Sequence, residues 1–236
     1  MKNSAILLCA GSGTRMKGSV KDKVLAPLLG KPVLAHSVEA FLESGAVSEL
    51  VFVCRSDEQI AEIKADLAGL LKNACAKFTY GGAERQDSVL NGIKASDKDS
   101  QIVFIHDCAR PLVGAENIKR LLKAAEADGA AVLAAKVVDT IKKIDSNPQD
   151  LRLRELKDLE RPLLWAMQTP QVFRRDIILS SYESVAKNKI KITDDVAAAT
   201  SQGHKVTIVE NPNPNPKITV PQDLAIVEFL YQKGVL

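Results

Sequence analysis

Four short apolar runs, each of strand length, recur along the first 140 residues and constrain the fold more than any other feature of the chain. They are residues 4–10 (SAILLCA), 49–54 (ELVFVC), 101–106 (QIVFIH) and 130–137 (AAVLAAKV). Their nearly continuous apolar character is typical of parallel strands that are buried on both faces. Segments of helical period separate them, at 32–44, 58–71 and 116–127. This order predicts an α/β fold, with a Rossmann-like, twisted, mostly parallel sheet, helices on both sides, and ligands beyond the carboxyl ends of the strands.

The segment 138–161 interrupts this order. It is polar, contains Pro148 and carries two short alternating segments, around 141–144 and 151–156. We interpret it as a β-arm that projects from a single domain covering residues 1–236. Its leucines alternate with charged residues at Leu151, Leu153 and Leu156. This pattern would leave an apolar edge in need of a partner, which favours a homodimer.

The last part of the chain supplies further expectations. The Asn-Pro run at 211–216 should form a stiff, extended loop leading to Lys217, followed by a last strand at 218–220 and a closing helix over about 221–232. Residues 193–195 (TDD) precede an alanine-rich run and predict a helix start, with the threonine as the cap and the acids at the positive end of the helix. No catalytic role is assigned to them.

Composition and charge exclude several classes of protein. The chain has 236 residues, 46% of them hydrophobic and 26% charged, as in an ordinary globular domain. A net charge of +3 without a long basic stripe argues against a nucleic-acid partner. The longest apolar runs are too short to cross a bilayer, and the start of the chain does not have the pattern of a signal peptide. The four cysteines show no CxxC spacing, which indicates free thiols and a cytoplasmic location.

A glycine-rich segment, residues 10–16 (AGSGTRM), follows the first predicted strand. Its two glycines let the backbone approach a phosphate and turn N–H groups toward it, although the same pattern also fits a tight turn without a ligand. A dinucleotide site would need a third glycine where Met16 stands and an acid at a strand end at the expected distance. No such acid follows, because Glu39, the nearest candidate, lies within the predicted helix at 32–44, so NAD binding is not expected. A Walker loop is excluded because the chain has no GKS or GKT sequence.

Four basic residues lie within this segment or shortly after it: Arg15, Lys17, Lys21 and Lys23. Each lysine alone is equally consistent with a solvated surface charge. Together with backbone donors at a strand end they suit a triphosphate, because nucleotidyl transfer needs mainly positioning and neutralisation of charge.

The sequence LLCAGSGTRM followed by DKVLAPLLGKPVLAHS resembles the opening of the nucleotidyltransferases that activate sugars and polyols. Five further motifs occur in order: GGAERQDSV at 81–89, HDCARP at 106–111, WAMQTPQ at 165–171, ITDD at 192–195 and PKIT at 216–219. Over nearly its whole length the chain is thus similar to the 2-C-methyl-D-erythritol 4-phosphate cytidylyltransferase family.

This resemblance implies a nucleotide-sugar transferase fold and a specific reaction. The family transfers the cytidylyl group of CTP to 2-C-methyl-D-erythritol 4-phosphate, a polyol phosphate, and releases pyrophosphate. The product, 4-diphosphocytidyl-2-C-methyl-D-erythritol, is an isoprenoid precursor of the non-mevalonate pathway. The resemblance also implies a Mg²⁺ cofactor and a cytoplasmic homodimer.

The resemblance assigns roles to individual residues. Arg15 and Lys23 are implied to bind the triphosphate and stabilise the transition state, and Arg161 and Lys217 to aim the attacking oxygen. The nucleotide is expected to contact Ala10, Gly11 and Gly13, and a cytosine-reading turn formed by Gly81, Gly82 and Ser88. The substrate phosphate is expected to be held by Arg110, Arg161, Thr169 and Lys217, with Thr140 contributed by the other subunit. Asp107 is implied to be an acid near the polyol and Mg²⁺.

Two positions depart from the family pattern: Asp22 stands where a proline is usual, and Ala83 stands where an acid is usual. The first suggests a looser loop before Lys23, and the second a less strict preference for CTP. By themselves, residues 81–89 also fit a strand-to-helix turn with an exposed Arg85, and Asp107 also fits a helix cap. His106 is interpreted as scaffold, because an attacking phosphate monoester needs no general base.

Two other functions stay open from the sequence. Ribitol 5-phosphate cytidylyltransferases share the glycine segment, the HDxxRP type of motif and the QTPQ segment. A non-catalytic nucleotide-binding module with the same fold is the second, although it would not require the four cations at Arg15, Lys23, Arg161 and Lys217.

Overall fold

A seven-stranded sheet forms the centre of the protein. The structure is a computed structural model and describes residues 2–11, 16, 22–144, 152 and 155–234. The strands of the whole structure, in the central sheet and in two separate two-stranded pairs, are β1 (Asn3–Leu8), β2 (Pro27–Leu28), β3 (Lys31–Pro32), β4 (Glu49–Cys54), β5 (Ala76–Tyr80), β6 (Ile102–Asp107), β7 (Ala130–Lys136), β8 (Lys142–Ile144), β9 (Leu156–Asp158), β10 (Trp165–Arg174) and β11 (Thr207–Glu210). Its helices are α1 (Val33–Ser44), α2 (Asp57–Asp66), α3 (Ala68–Leu71), α4 (Arg85–Ala95), α5 (Ala115–Asp128), α6 (Arg175–Lys187), α7 (Asp195–Ser201) and α8 (Pro221–Gln232).

The strand order across the sheet is β11-β7-β10-β6-β1-β4-β5. β1 pairs in parallel with β6 and β4, so that Leu8 lies level with Asp107 on one side and with Val53 on the other. Among the described strands of this sheet, β10 alone runs antiparallel, between β6 and β7. The parallel strands therefore deliver the loops that follow them to one edge, where ligands of such sheets bind.

Both faces of the sheet are covered by helices. Ala5 and Leu7 of β1 belong to a core that includes residues of α1, α2 and α5, whereas Ile6 belongs to a second core that includes residues of α4, α6 and α7. Side chains of a strand alternate between faces, so a strand covered on both sides must be apolar throughout. This burial explains the continuous apolar runs and confirms the predicted α/β class.

The structure contains the four predicted central strands, and β4 has the predicted bounds. The helices expected at 32–44, 116–127 and 221–232 are present as α1, α5 and α8. The single helix expected over 58–71 is divided into α2 and α3, with Leu67 buried between them at 1% exposure.

Two expectations near the carboxyl end of the chain are corrected. Residues 218–220 do not form a strand: the Ile218 N–H donates to the Ala109 carbonyl, so this segment crosses the strand ends instead of joining the sheet. The cap of α7 is Asp194 rather than Thr193, because an oxygen of the Asp194 side chain accepts the N–H of Ala197.

A short antiparallel hairpin lies within the predicted arm. β8 pairs with β9, and Ile144 stands opposite Leu156. Leu156 is 56% exposed and Val138, at the base of the arm, is 84% exposed. Leu151 and Leu153 lie outside the described residues.

None of the helices in the described part of the chain has the length and apolar composition that a bilayer crossing requires.

Candidate active site

A cavity of about 380 Å³ opens beyond the carboxyl ends of β1 and β6. One wall is the end of β1 with the start of the glycine segment, including Ala10 and Gly11. The other walls come from Lys23, from the turn at 82–88, from Asp107 and from Lys217. The ends of β1 and β6 meet here because the two strands are neighbours in the sheet, as predicted for this edge, and the segment of Lys217 is held beside them by the hydrogen bond from the Ile218 N–H to the Ala109 carbonyl.

Asp107, the last residue of β6, is the buried carboxylate of the cavity. It is 8% exposed, and the Lys217 ammonium donates to its Oδ2 at 2.6 Å. The Arg85 Nε donates to Oδ1 at a longer 3.4 Å. Burial raises the pKa of Asp107, but the charges of Arg85 and Lys217 outweigh burial and hold this pKa well below its usual range. The carboxylate is therefore charged at neutral pH, between two cations.

Arg85 lines the cavity and is held from behind by a buried acid. Its two terminal nitrogens donate to the two oxygens of Asp195 at 2.8 and 2.9 Å, and Asp195 is fully buried. The Tyr182 hydroxyl donates to Asp195 at 2.5 Å. Burial lowers the pKa of Arg85, but the negative charge of Asp195 raises this pKa by more than burial lowers it. The guanidinium therefore stays protonated. The alternative of an exposed Arg85 is wrong, and sequence reasoning missed this arginine as a cavity residue.

Two lysines reach the cavity from opposite segments. Lys23 donates at 3.3 Å to the carbonyl of Ile218, the residue that follows Lys217 in the chain.

The glycine segment is described only in part. Met16, at the position where a dinucleotide site would need glycine, is fully buried and belongs to a small core with Ala26 and Ile218. Arg15 and Gly13, two predicted site residues, lie outside the described residues.

The turn after β5 packs tightly against the glycine segment. A Cβ at Gly81 would lie 2.8 Å from the Ala10 Cβ, so a larger residue does not fit between the two segments. The Gly82 N–H donates to the Ser88 Oγ at 3.0 Å, and this hydroxyl donates to the Glu84 carbonyl at 3.2 Å. Gly82, Ala83, Glu84 and Ser88 line the cavity. Ala83 offers no side-chain acceptor there.

Thr169 lies behind Asp107 and does not line the cavity. It is 4% exposed, and its Oγ1 accepts the Asp107 N–H and bonds Nδ1 of His106, both at 3.1 Å. The other ring nitrogen of His106 bonds Ser37 Oγ at 3.1 Å. Burial lowers the pKa of His106 to about 4, so the ring is neutral. This geometry agrees with the interpretation of His106 as scaffold.

Three further predicted substrate residues do not line the cavity in the single chain. Arg110 is half-buried and donates to the Asn215 carbonyl at 2.6 Å, in the loop before Lys217. Arg161 is exposed in a short 3-10 turn and donates to the Val138 carbonyl at 3.1 Å. Thr140 is exposed just before β8. The last two both lie at the base of the arm.

A metal would find few protein ligands here. Within the described residues no cluster of three or more His, Cys, Asp or Glu side chains could hold an ion. Asp107 and Glu84 are the carboxylates that line the cavity, and both oxygens of Asp107 already accept from cations. These carboxylates fit a Mg²⁺ ion that is bound jointly by one or two protein carboxylates and the substrate phosphates, which is the common way in which proteins bind this ion.

A mostly parallel sheet whose strand ends carry a tight glycine turn, two lysines and a buried carboxylate defines a class, the nucleotide-binding α/β proteins. Comparison with known proteins narrows this class. The model of the family described as IspD, 2-C-methyl-D-erythritol 4-phosphate cytidylyltransferase, matches residues 4–233. The chain belongs to this family, and the resemblance drawn from its motifs is confirmed.

Individual relatives agree with this assignment. A chloroplastic 2-C-methyl-D-erythritol 4-phosphate cytidylyltransferase of Oryza sativa subsp. japonica is 41% identical over 96% of this chain and 73% of its own length. The protein of the same name from Caldanaerobacter subterraneus is 40% identical over 99% of this chain and 100% of its own. The crystal structure of the 4-diphosphocytidyl-2C-methyl-D-erythritol synthase from Anaerococcus prevotii superposes with a TM-score of 0.82, at 26% identity, over 98% of both chains.

Proposed function

We propose that this chain transfers the cytidylyl group of CTP to 2-C-methyl-D-erythritol 4-phosphate and releases pyrophosphate. The observation that carries the proposal is the convergence of Lys23, Lys217 and Asp107 on one cavity beyond the strand ends. The family to which the chain belongs is named for this activity. The product, 4-diphosphocytidyl-2-C-methyl-D-erythritol, serves isoprenoid precursor synthesis.

The nucleotide lies with its phosphates between Gly11 and Lys23 and its base against the turn at 82–88. An anionic oxygen of the acceptor phosphate attacks the α-phosphorus in line. A new P–O bond forms while the bond to the β-phosphate breaks, and its electron pair leaves with pyrophosphate. No proton has to be removed, because the attacking oxygen is already charged. Lys23, together with Arg15, neutralises the charge that develops on the phosphates.

Lys217 orients the acceptor phosphate in this proposal. In the free chain the lysine is bound to Asp107 at 2.6 Å and is therefore already fixed at the cavity wall. Arg85, which is itself held by Asp195, keeps Asp107 charged from the other side. When bound, Mg²⁺ would neutralise the nucleotide phosphates, and Asp107 is the residue of this chain that would hold it.

Arg161 and Thr140 enter the proposal through a homodimer. Both are exposed at the base of the arm, beside Val138 and Leu163, which are 84% and 72% exposed. Large exposed apolar side chains grouped next to functional side chains favour a protein partner. We infer that a second copy covers them and brings Thr140 to the acceptor site of its neighbour. The four free cysteines, three of them buried, are consistent with the reducing cytoplasm as the location.

The test is pyrophosphate release from CTP, with Mg²⁺ and 2-C-methyl-D-erythritol 4-phosphate, beside a parallel reaction with ribitol 5-phosphate. Release with the first acceptor alone is expected. Release with ribitol 5-phosphate alone would keep the chemistry and overturn the acceptor. Tight CTP binding without release in either reaction would show a non-catalytic module.

A further inference from the structure

A buried carboxylate, Asp22, directly precedes Lys23. Its side chain is only 2% exposed. The Val24 N–H donates to its Oδ1 at 3.1 Å, and its Oδ2 accepts from Gln59 at 2.6 Å and from Arg55 at 2.7 Å. A buried charge is tolerated only when it is paired and hydrogen-bonded in this way. Asp22 is therefore held firmly directly before Lys23, whereas the loop that was expected to be looser lies outside the described residues at 17–21.

Gln59, in the first turn of α2, ties Asp22 to the end of β1. It is 1% exposed, and its Nε2 donates both to Asp22 Oδ2 and to the Cys9 carbonyl, the latter at 3.1 Å. Its Oε1 accepts the Arg55 N–H at 2.8 Å. One amide thus connects two backbone segments that lie more than ten residues apart in the sequence. We call Asp22, Arg55 and Gln59 the clip.

The two connected segments carry groups of the cavity. Cys9 is followed at once by Ala10 and Gly11, and Asp22 by Lys23. Ala10, Gly11 and Lys23 line the cavity, whereas no residue of the clip does. The positions of Gly11 and Lys23 relative to each other are therefore set by side chains that a ligand would not touch.

We propose that the clip is a positioning device, which fixes the spacing between Gly11 and Lys23 for the triphosphate of the nucleotide. The inference rests on the proposed function, because it takes CTP as the ligand of the cavity. A phosphate held between a backbone turn and an ammonium is sensitive to their separation, since a small misplacement in a reactive geometry lowers the rate strongly.

The decisive variant is Gln59→Glu. It keeps the size of the side chain and the acceptor for the Arg55 N–H, but removes both donated hydrogen bonds and places a second carboxylate against Asp22. We expect the KM for CTP to rise about tenfold, the effect of losing a buried hydrogen bond of ordinary strength. The KM for the acceptor should stay within about twofold, because the described hydrogen bonds that hold Lys217 and Asp107 to each other and to Arg85 involve no residue of the clip.

A second substitution separates positioning from general damage. Combining Gln59→Glu with Asp22→Asn exchanges the amide and the carboxylate and restores the hydrogen bond between them, but not the one to the Cys9 carbonyl. The double variant should therefore recover part of the CTP affinity that Gln59→Glu loses. Arg55→Gln is milder, since the Arg55 side chain is 30% exposed, and it carries the same test if Gln59→Glu does not fold.

Glu49→Gln is the matched control. Glu49 is also a buried carboxylate, 4% exposed, and it accepts from Ser4, from the Asp97 N–H and from Lys77. It is the first residue of β4, so it lies at the amino ends of the parallel strands, whereas the cavity lies beyond their carboxyl ends. Its loss should lower the thermal midpoint of unfolding and leave the KM for CTP unchanged.

The outcomes distinguish the two proposals. If the wild-type protein releases pyrophosphate and a folded Gln59→Glu variant has the same KM for CTP as Glu49→Gln, the clip inference is wrong and the function stands. A wild-type protein that neither releases pyrophosphate nor binds CTP in a calorimetric titration overturns the proposed function itself. A selective rise in the KM for CTP, partly reversed in the double variant, supports the inference.

Discussion

Asp107 carries its charge in a place where burial alone would favour the neutral acid. Lys217 and Arg85 reverse that preference, and Arg85 is itself fixed by the buried Asp195. The site is therefore assembled from charges that hold one another, and each loses a counter-charge when its neighbour is removed. Breaking a buried pair by deleting one partner is more damaging than the strength of the pair suggests.

The first prediction concerns Lys217. Lys217→Met should lower kcat/KM for the acceptor about a hundredfold, the usual result of removing one electrostatic contact to a reacting oxygen. The KM for CTP should change much less. Steady-state pyrophosphate release at varied concentrations of each substrate measures both values, with the exposed Lys119→Met as the control. An unchanged kcat/KM for the acceptor would contradict the role assigned to Lys217.

The second prediction concerns pH and His106. The folded pKa is about 4, below the ordinary 6.5 of the unfolded chain, so between these values the unfolded chain binds more protons. Stability from the neutral ring is complete above pH 6.5 and is lost as the pH falls toward 4. We expect urea denaturation to show about 3 kcal/mol less stability at pH 4 from this group.

The matched measurement is the same pH series on His106→Gln. This variant should have a flatter pH dependence of the free energy of unfolding, while the contribution of His36, whose pKa burial also lowers, remains in both proteins. Equal slopes for the two proteins would show that His106 does not titrate as described.

At the scale of elements, two helical glycines should respond in opposite ways to the same substitution. A Cβ at Gly92 of α4 would lie 2.5 Å from Cγ2 of Ile6, in the sheet below, whereas a Cβ at Gly69 of α3 would meet nothing within 4 Å. Alanine is the better helix former by about 1 kcal/mol. Gly69→Ala should therefore stabilise the protein by up to about that amount. Gly92→Ala should destabilise it by about 1–3 kcal/mol, because overpacking outweighs propensity.

Urea denaturation of both variants checks this pair of effects. Stabilisation by Gly92→Ala would mean that α4 moves away from β1 at no free-energy cost, and would contradict the close packing described for the sheet.

The sequence predicted the elements whose pattern is local. β4, α1 and α8 show their burial as an apolar run or a helical period, and they were placed nearly residue by residue. β10 was missed because WAMQTPQVFR contains a proline and several polar residues, and its place between β6 and β7 depends on pairing with distant strands. The strand expected at 218–220 was wrong for a related reason, because an apolar alternation does not reveal whether a neighbouring strand exists to pair with it.

The same division applies to the site. Asp107 and the turn at 81–88 stand at the ends of β6 and β5, and the edge where those strands end could be inferred from the βα order. Lys23 and Lys217 lie farther from any strand of the sheet, and they were predicted from the resemblance of their motifs to the family. Arg85 and its contact with Asp195 could not be inferred, because they lie 110 positions apart and meet only through the packing of α4, α6 and α7. Thr169 is predicted to hold the substrate phosphate, and the sequence did not reveal that its hydroxyl contacts the Asp107 N–H and His106.

At the scale of the whole molecule, the arm should decide both assembly and activity. Leu163→Ser replaces a 72% exposed side chain at the base of the arm, next to Arg161, and should shift sedimentation equilibrium toward monomer. Its specific activity should fall on dilution more steeply than that of the wild type. Phe229→Ser on α8, 58% exposed and outside the arm, should change neither value. A wild-type protein that is monomeric and fully active would contradict the homodimer.

The arm leaves and rejoins the sheet at one point. β7 ends at Lys136 and β10 begins at Trp165, and these two residues are partners in the sheet. In the language of gene architecture the arm is therefore a cassette: its two boundaries are adjacent, and neither adjoining strand needs to shift when the content between them changes. Families built on this sheet could exchange or shorten the cassette, and with it the contacts proposed for Thr140 and Arg161, while Lys23, Asp107 and Lys217 stay in place around the cavity.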